Sequence, residues 1–167
     1  MAEHDGVDVI LEQWKRERPE LDHSPVGVVG RISRLARELE QRLEPVYRDH
    51  ELEGGLYDVL ATLRRSGEPY RLRPSEFAGT LMLTSSGTTK RLDRLERAGL
   101  IERTPDPDDR RGTLIALTPA GRRLVDATVE AHLENERRLL SALTDSERSR
   151  LAGLLRKLQL GLPPHGR

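Results

Sequence analysis

Two arginines follow a cluster of aspartates and precede an alternating apolar run in the stretch RTPDPDDRRGTLIALTPAG, residues 103–121. Guanidinium groups bind phosphates and base edges, and an arginine at the tip of a hairpin can enter the DNA minor groove, where the negative potential is focused. Asp109 lies two residues before Arg111 and can hold its guanidinium through a bidentate pair, which reduces the side-chain entropy lost on binding. The alternative interpretation is a solvated run of charges.

Catalytic and metal-binding chemistry has no recognisable pattern in this sequence. The chain has no cysteine, which excludes thiol nucleophiles, disulfides and cysteine-type zinc sites. Its five histidines are scattered without metal-ligand spacing, and neither a nucleophile elbow nor a glycine-rich phosphate loop occurs. The stretch SSGTTK resembles a phosphate loop but lacks its first glycine. We therefore expect no enzymatic activity, no catalytic residues, no metal site and no cofactor.

The charge of the chain is balanced overall and uneven along its length. Twenty-eight basic and 28 acidic residues give a formal net charge of zero, which argues against nonspecific coating of nucleic acid. Acids outnumber bases over residues 1–24, whereas bases outnumber acids over residues 64–111, so a local basic face is possible. No apolar run approaches the ~20 residues of a membrane span, and no signal-peptide pattern is visible. We expect a cytoplasmic, nucleoid-associated protein without a membrane partner.

Hydrophobic periodicity predicts a chain that is mostly helical and contains one β-hairpin. Pro74 suits the first turn of a short helix, and Gly99 suits the end of a longer one. The sequence TDSE from Thr144 has the spacing of a capping box and therefore begins the last helix. The predicted helices begin near residues 7, 25, 54, 74, 84, 119 and 144, and the predicted strands are 100–103 and 113–117.

The order of the elements between residues 54 and 118 is helix, short helix, helix, strand, long loop, strand. This is the order of a winged helix-turn-helix, in which the third helix enters a DNA groove and the hairpin, or wing, reaches alongside. We therefore predict a mainly α fold with a small β-hairpin wing. A single domain is expected over residues 1–167, with a DNA-binding lobe at 54–118 and a helical dimerisation region formed by 1–50 and 119–162.

The helix predicted at 84–98 has the composition of a DNA-reading helix. Its first turns, TSSGTTKR, carry small polar groups that can contact bases or phosphates, and its free amides favour phosphate binding. A plain N-cap is the alternative for its first residues. The predicted DNA-binding residues of this helix and the wing are Thr84, Ser85, Ser86, Thr88, Thr89, Lys90, Arg94, Asp109, Arg110 and Arg111.

The stretches PDPDDRRGTLIALTPAG and RLDRLERAGLIER resemble the MarR family of bacterial transcriptional regulators, and the resemblance extends over about residues 25–160. It implies a repressor that binds a pseudo-palindromic operator in double-stranded DNA as an obligate homodimer. It also makes Arg111 the minor-groove arginine and Asp109 its anchor. Apolar faces at 28–46, 124–143 and 151–158 independently indicate a partner surface. The alternative function is a winged-helix protein-interaction module without a small-molecule response.

A narrower resemblance is to the urate-responsive, PecS-like branch of that family. The branch carries a tryptophan in an extra N-terminal helix, an aspartate and an arginine seven residues apart before the helix-turn-helix, an arginine in the recognition helix and another in the first wing strand. The resemblance implies release from DNA by a small anionic ligand such as urate. The matching, predicted ligand-binding residues are Trp14, Asp58, Arg65, Arg91 and Arg103.

The chemistry of these five residue types suits a planar anion. An aromatic face and guanidinium groups bind such a ligand, whereas a buried Asp58 resists a second negative charge. Anion binding would then break a pairing between Asp58 and Arg103 and shift the recognition helix. The alternatives are that Trp14 fastens the first helix to the core, that Asp58 and Arg65 form a solvated pair, and that Arg91 binds phosphate.

Overall fold

The computed structural model describes residues 4–77, 80–82, 87–109 and 111–163. Over these residues the fold is mainly α with a small antiparallel sheet, as predicted from the sequence. No helix in the described ranges is long and apolar enough to cross a membrane. The elements are α1 (Gly6–Glu17), α2 (Ser24–Arg48), α3 (Gly54–Arg65), β1 (Arg71–Leu72), a 3₁₀ helix (Pro74–Phe77), α4 (Thr88–Arg97), β2 (Ile101–Pro105), β3 (Thr113–Leu117), α5 (Pro119–Leu139) and α6 (Asp145–Gly161).

Residues 1–45 form one compact unit and residues 46–167 form a second. In the first unit, the Asp5 carboxylate caps α1 by accepting the backbone N–H of Asp8 at 3.0 Å. Arg31 of α2 donates to Asp5 at 2.8 Å and to Asp8 at 2.7 Å. These charged hydrogen bonds fix the start of α1 against α2, and Val7 is buried there. The prediction of a single domain stays a prediction.

The core of the second unit is built from one face of each helix and strand. The spacing of apolar residues along α3 places Leu56, Val59, Leu60 and Leu63 inward, as the helical period requires. The helices and strands that follow contribute further apolar side chains to the same core. These are Phe77, Leu92, Leu95, Ile101, Leu114, Ile115 and Val125.

The sheet has the strand order β1-β3-β2, and both pairings are antiparallel. In the wing hairpin, the register runs from Ile101 opposite Leu117 to Pro105 opposite Thr113. Strand β1 adds a third strand, with Arg71 opposite Ala116. Strand β1 was not predicted from the sequence, because two residues are too few to show the alternation that identifies a strand.

Side-chain caps define where α5 and α6 begin. The Thr118 hydroxyl accepts the Gly121 N–H at 3.0 Å, and the predicted capping box between Thr144 and Glu147 is present at the start of α6. No residue of α6 is buried, although its sequence carries leucines at helical spacing. In the second unit, α6 therefore presents an apolar face to solvent.

A buried aromatic cluster joins α2, α3 and α5 within the second unit. The rings of Tyr47 and Tyr57 stack with their centroids 4.8 Å apart, and the Tyr47 hydroxyl lies 3.2 Å from Nδ1 of His132. Burial raises the pKa of Tyr57 to about 12, so this phenol is neutral at physiological pH. This cluster was not predicted from the sequence, because its members are separated by up to 85 residues.

Candidate nucleic-acid interface

Helix α4 presents a polar face to solvent and an apolar face to the core. Gly87 precedes it with a φ of 80°, a conformation that glycine adopts without steric cost. Leu92 and Leu95 are buried, whereas Thr89 and Lys90 are exposed. This division allows the first turns of α4 to approach a nucleic acid without disturbing the core. Thr88 begins the helix and is partly exposed. The predicted contacts at Thr84, Ser85 and Ser86 lie outside the described residues.

The guanidinium of Arg94 is bound within the protein. Its Nη1 and Nη2 atoms each donate to the Glu53 carboxylate at 2.8 Å, and this bidentate pair links α4 to the residue that precedes α3. The hydrogen bonds from Arg94 lower the pKa of the Glu53 carboxyl. The prediction that Arg94 contacts DNA therefore requires this guanidinium to exchange Glu53 for a phosphate.

The wing carries an exposed arginine, Arg111, whose backbone is hydrogen-bonded to Asp109. Asp109 Oδ1 accepts the backbone N–H of Arg111 at 2.9 Å, so it fixes the backbone of Arg111. The bidentate pair between Asp109 and the guanidinium, which was predicted from the sequence, is not formed. In the part of the chain that the structure describes, no acidic side chain lies within 4.0 Å of the Arg111 guanidinium. That side chain is available to a partner outside the chain. Arg110 lies outside the described residues.

A buried carboxylate organises the turn of the wing, and it was not predicted from the sequence. The Asp106 side chain is 1% exposed, and its Oδ2 accepts Nε of Arg73 at 2.6 Å. Arg73 stands at the start of the 3₁₀ helix, 33 residues earlier in the chain. The hydrogen bond from Arg73 lowers the pKa of the Asp106 carboxyl. The carboxylate therefore stays ionised at pH values where an ordinary carboxyl group begins to take up a proton.

Two of the predicted ligand-binding residues hold the same short segment. The buried Asp58 accepts the backbone N–H of Met82 through Oδ1 at 3.1 Å, and Arg65 donates to the backbone carbonyl of Thr80. Both residues belong to α3, two turns apart on one face as predicted. The structure therefore brings them together at residues 80–82, which precede the predicted start of the DNA-reading helix.

The predicted ligand-binding residue of the first wing strand is paired with α4. Arg103 forms ion pairs with Asp93, at 2.6 Å, and with Glu96 of α4, in place of the predicted pairing with Asp58. Its guanidinium ties the first wing strand to the recognition helix.

Arg91 lies against the start of α3. A Cβ added at Gly55 would come within 2.7 Å of Arg91 Nε, so the glycine makes room for the guanidinium. Trp14, in the first unit, is 47% exposed and stacks on His23 with ring centroids 6.0 Å apart. A shallow pocket beside Trp14 is lined by Gln13, Trp14, Arg16 and Glu17. The assembly of all five residues into one ligand site stays a prediction.

Comparison with known proteins identifies the family. The model of the MarR family matches residues 55–113, which run from the second residue of α3 through α4 and β2 to the first residue of β3. The HTH-type transcriptional regulator PecS of Dickeya dadantii is 42% identical over 159 residues, which cover 95% of this chain and 96% of that protein. The chain belongs to the MarR family. Its relatives are DNA-binding transcriptional regulators, and the protein is not an enzyme.

Solved structures of similar proteins agree with the fold. A MarR family transcriptional regulator of Streptomyces coelicolor, Sco3205, was solved in complex with DNA. It has a TM-score of 0.76 and 27% identity, over 87% of this chain and 95% of that chain. The Bordetella bronchiseptica regulator BpsR, described with 6-hydroxynicotinic acid, has a TM-score of 0.63 and 26% identity, over 77% of this chain and 98% of that chain. The winged helix-turn-helix prediction is confirmed.

Proposed function

We propose that this protein is a cytoplasmic repressor that binds a pseudo-palindromic operator as a homodimer and leaves it when a small anion binds. The observation that carries the DNA-reading part is the wing, where Asp109 fixes the backbone of Arg111 and leaves its exposed guanidinium unpaired within the described chain. Helix α4 supplies the second element, because its exposed polar face includes Thr89 and Lys90. Sco3205, similar in fold, was solved with DNA bound.

Exposed apolar faces support the homodimer. In the first unit, Val28 and Val29 of α2 are 57% and 60% exposed. In the second unit, the leucines of α6 are exposed at helical spacing, Leu154 and Leu158 among them. Faces of this kind are costly in water, and packing against a second copy of the chain removes apolar surface from water. Two copies also place two recognition helices on one DNA molecule, as a pseudo-palindromic operator requires.

Selection of bound fragments from genomic DNA tests the DNA-reading function. We expect enrichment of one inverted-repeat sequence and a steep fall of its affinity with salt, because each phosphate contact releases counterions. The matched control is the same fragment with one half-site scrambled. Absence of any enriched sequence would favour the alternative, a winged helix that binds protein.

The ligand response is supported by the contacts that Asp58 and Arg65 make with residues 80–82. An anion bound to the Arg65 guanidinium competes with the Thr80 carbonyl for that guanidinium. The negative charge of Asp58 also repels the bound anion. Either effect loosens the segment that leads toward α4. BpsR is described as regulated in its DNA binding by 6-hydroxynicotinic acid, an aromatic carboxylic acid. A planar aromatic anion is therefore the proposed class of ligand.

Fluorescence of Trp14, the single tryptophan, tests this response. We expect urate or 6-hydroxynicotinate to quench Trp14 and to weaken operator binding by about 5- to 150-fold, with DNA weakening the ligand by the same factor. Asp58→Asn keeps an oxygen for the Met82 N–H and removes the charge, so it should retain ligand binding and lose DNA release.

Asp49→Asn, at an exposed position, is the charge-matched control and should respond like the wild type. If neither anion quenches Trp14 or releases DNA, these residues are scaffold and the ligand proposal is wrong.

A further inference from the structure

The turn of the wing is closed around Asp106. Its backbone N–H donates to the Gly112 carbonyl at 3.0 Å, and the Gly112 N–H donates to the Asp109 carbonyl at 2.8 Å. Asp106 Oδ1 also accepts the N–H of Asp108 at 2.9 Å. Gly112 is needed here, because an added Cβ would lie 2.9 Å from the Asp106 Cβ and 3.0 Å from the Asp109 Cβ. Hydrogen bonds around one buried residue, Asp106, therefore hold the turn that carries Arg111.

Arg73 connects this turn to the helix-turn-helix. Its backbone is fixed at the start of the 3₁₀ helix, where its N–H donates to Glu76 at 2.6 Å and its carbonyl accepts the Glu76 N–H at 2.9 Å. From there its side chain reaches the turn twice, with Nε 2.6 Å from Asp106 and Nη2 3.8 Å from Asp108. The ladder between β2 and β3 ends at Pro105, so Arg73 holds the turn beyond the last strand pair.

Charge gives this contact a second consequence. The turn carries Asp106, Asp108 and Asp109, which would repel DNA phosphates as the wing approaches. The Arg73 guanidinium lies against the first two of these carboxylates and offsets their charge. Because the compensating positive charge comes from Arg73, outside the wing, the charge of Arg111 remains available to the DNA.

We propose that Arg73 is a positioning residue for DNA binding. Through the buried Asp106 it fixes the turn of the wing, and its positive charge offsets the negative charge of the aspartates there, so that Arg111 enters the minor groove. This assignment rests on the proposed DNA-binding function. It predicts that Arg73 acts through Arg111, whereas an arginine that simply contacts phosphate acts independently of it.

A double-mutant cycle on operator binding separates these roles. Arg73→Gln should weaken binding about tenfold in the wild-type background and less than about twofold in the Arg111→Ala background. Arg73→Lys, which keeps the charge near Asp106, should recover part of the loss. The loss of operator affinity caused by Asp106→Asn should likewise be smaller in the Arg111→Ala background. Asp106→Asn replaces Arg73→Gln in the double-mutant cycle if the Arg73→Gln variant unfolds below the assay temperature.

Arg71→Gln is the matched control, since it removes the same charge from β1, two residues away. Its effect, of whatever size, should be equal in the two backgrounds. Equal losses for Arg73→Gln in both backgrounds, or no loss in either, would overturn the positioning role while leaving the proposed function intact. Failure of the wild type to bind any operator would instead remove the proposed function itself.

Discussion

Replacing Leu154 and Leu158 of α6 by aspartate is expected to abolish operator binding at concentrations that saturate the wild type. The two leucines are 56% and 45% exposed in the single chain, so the substitutions bury no charge within one copy. In a dimer they place four carboxylates in an apolar interface and remove leucine burial worth about 1.5–3 kcal/mol for each side chain. We expect the dimer dissociation constant to rise by about 10³-fold or more.

Sedimentation equilibrium measures the dimer, and fluorescence anisotropy of a labelled operator measures DNA binding. The matched control carries Ser149→Asp and Gly153→Asp, which add the same charge to the other face of α6. A Cβ at Gly153 would meet nothing within 4 Å, so this control should remain a dimer and bind DNA. A Leu154→Asp/Leu158→Asp chain that still dimerises would show that α6 is not part of the interface.

Arg111→Ala is expected to weaken operator binding by about 1–3 kcal/mol and to relax sequence preference where the wing meets the minor groove. This loss is expected because the exposed guanidinium of Arg111 is not paired with an acidic side chain in the described chain. Hydrogen bonds of Asp109 and Asp106 hold the turn that carries it. Asp109→Ala should cost less, because it removes the hydrogen bond to the Arg111 N–H and keeps the guanidinium.

The same anisotropy titration measures both variants, and thermal melting checks that each is folded. Arg123→Ala, which removes an exposed arginine from α5, serves as the control and should bind like the wild type. Unchanged affinity of a stable Arg111→Ala variant would exclude the wing from DNA recognition.

Local patterns in the sequence predicted most of the fold. The helical period of apolar residues located α1 to α3, α5 and α6, and the capping box at Thr144 located the start of α6. These features depend on neighbours within a few residues of one another. Strand β1 was missed because its two residues pair with β3, more than 40 residues later in the chain.

The candidate site was predicted less completely, because its side-chain pairs form across distant parts of the chain. Arg94 and Glu53 are separated by 41 residues, and Arg73 and Asp106 by 33. The local pair of Asp109 and Arg111 was identified correctly, but its geometry was wrong. In a tight turn the carboxylate accepts the nearby backbone N–H two residues on, which ties the carboxylate to the backbone of Arg111.

Hydroxyl-radical footprinting of the selected operator tests the central claim, that two copies of the chain read DNA with two recognition helices and two wings. We predict two protected half-sites related by two-fold symmetry, with centres about 10 base pairs apart on one face of the duplex. Flanking minor-groove protection at each wing should disappear with Arg111→Ala. A single unpaired half-site, or protection without any symmetry, would contradict the proposal.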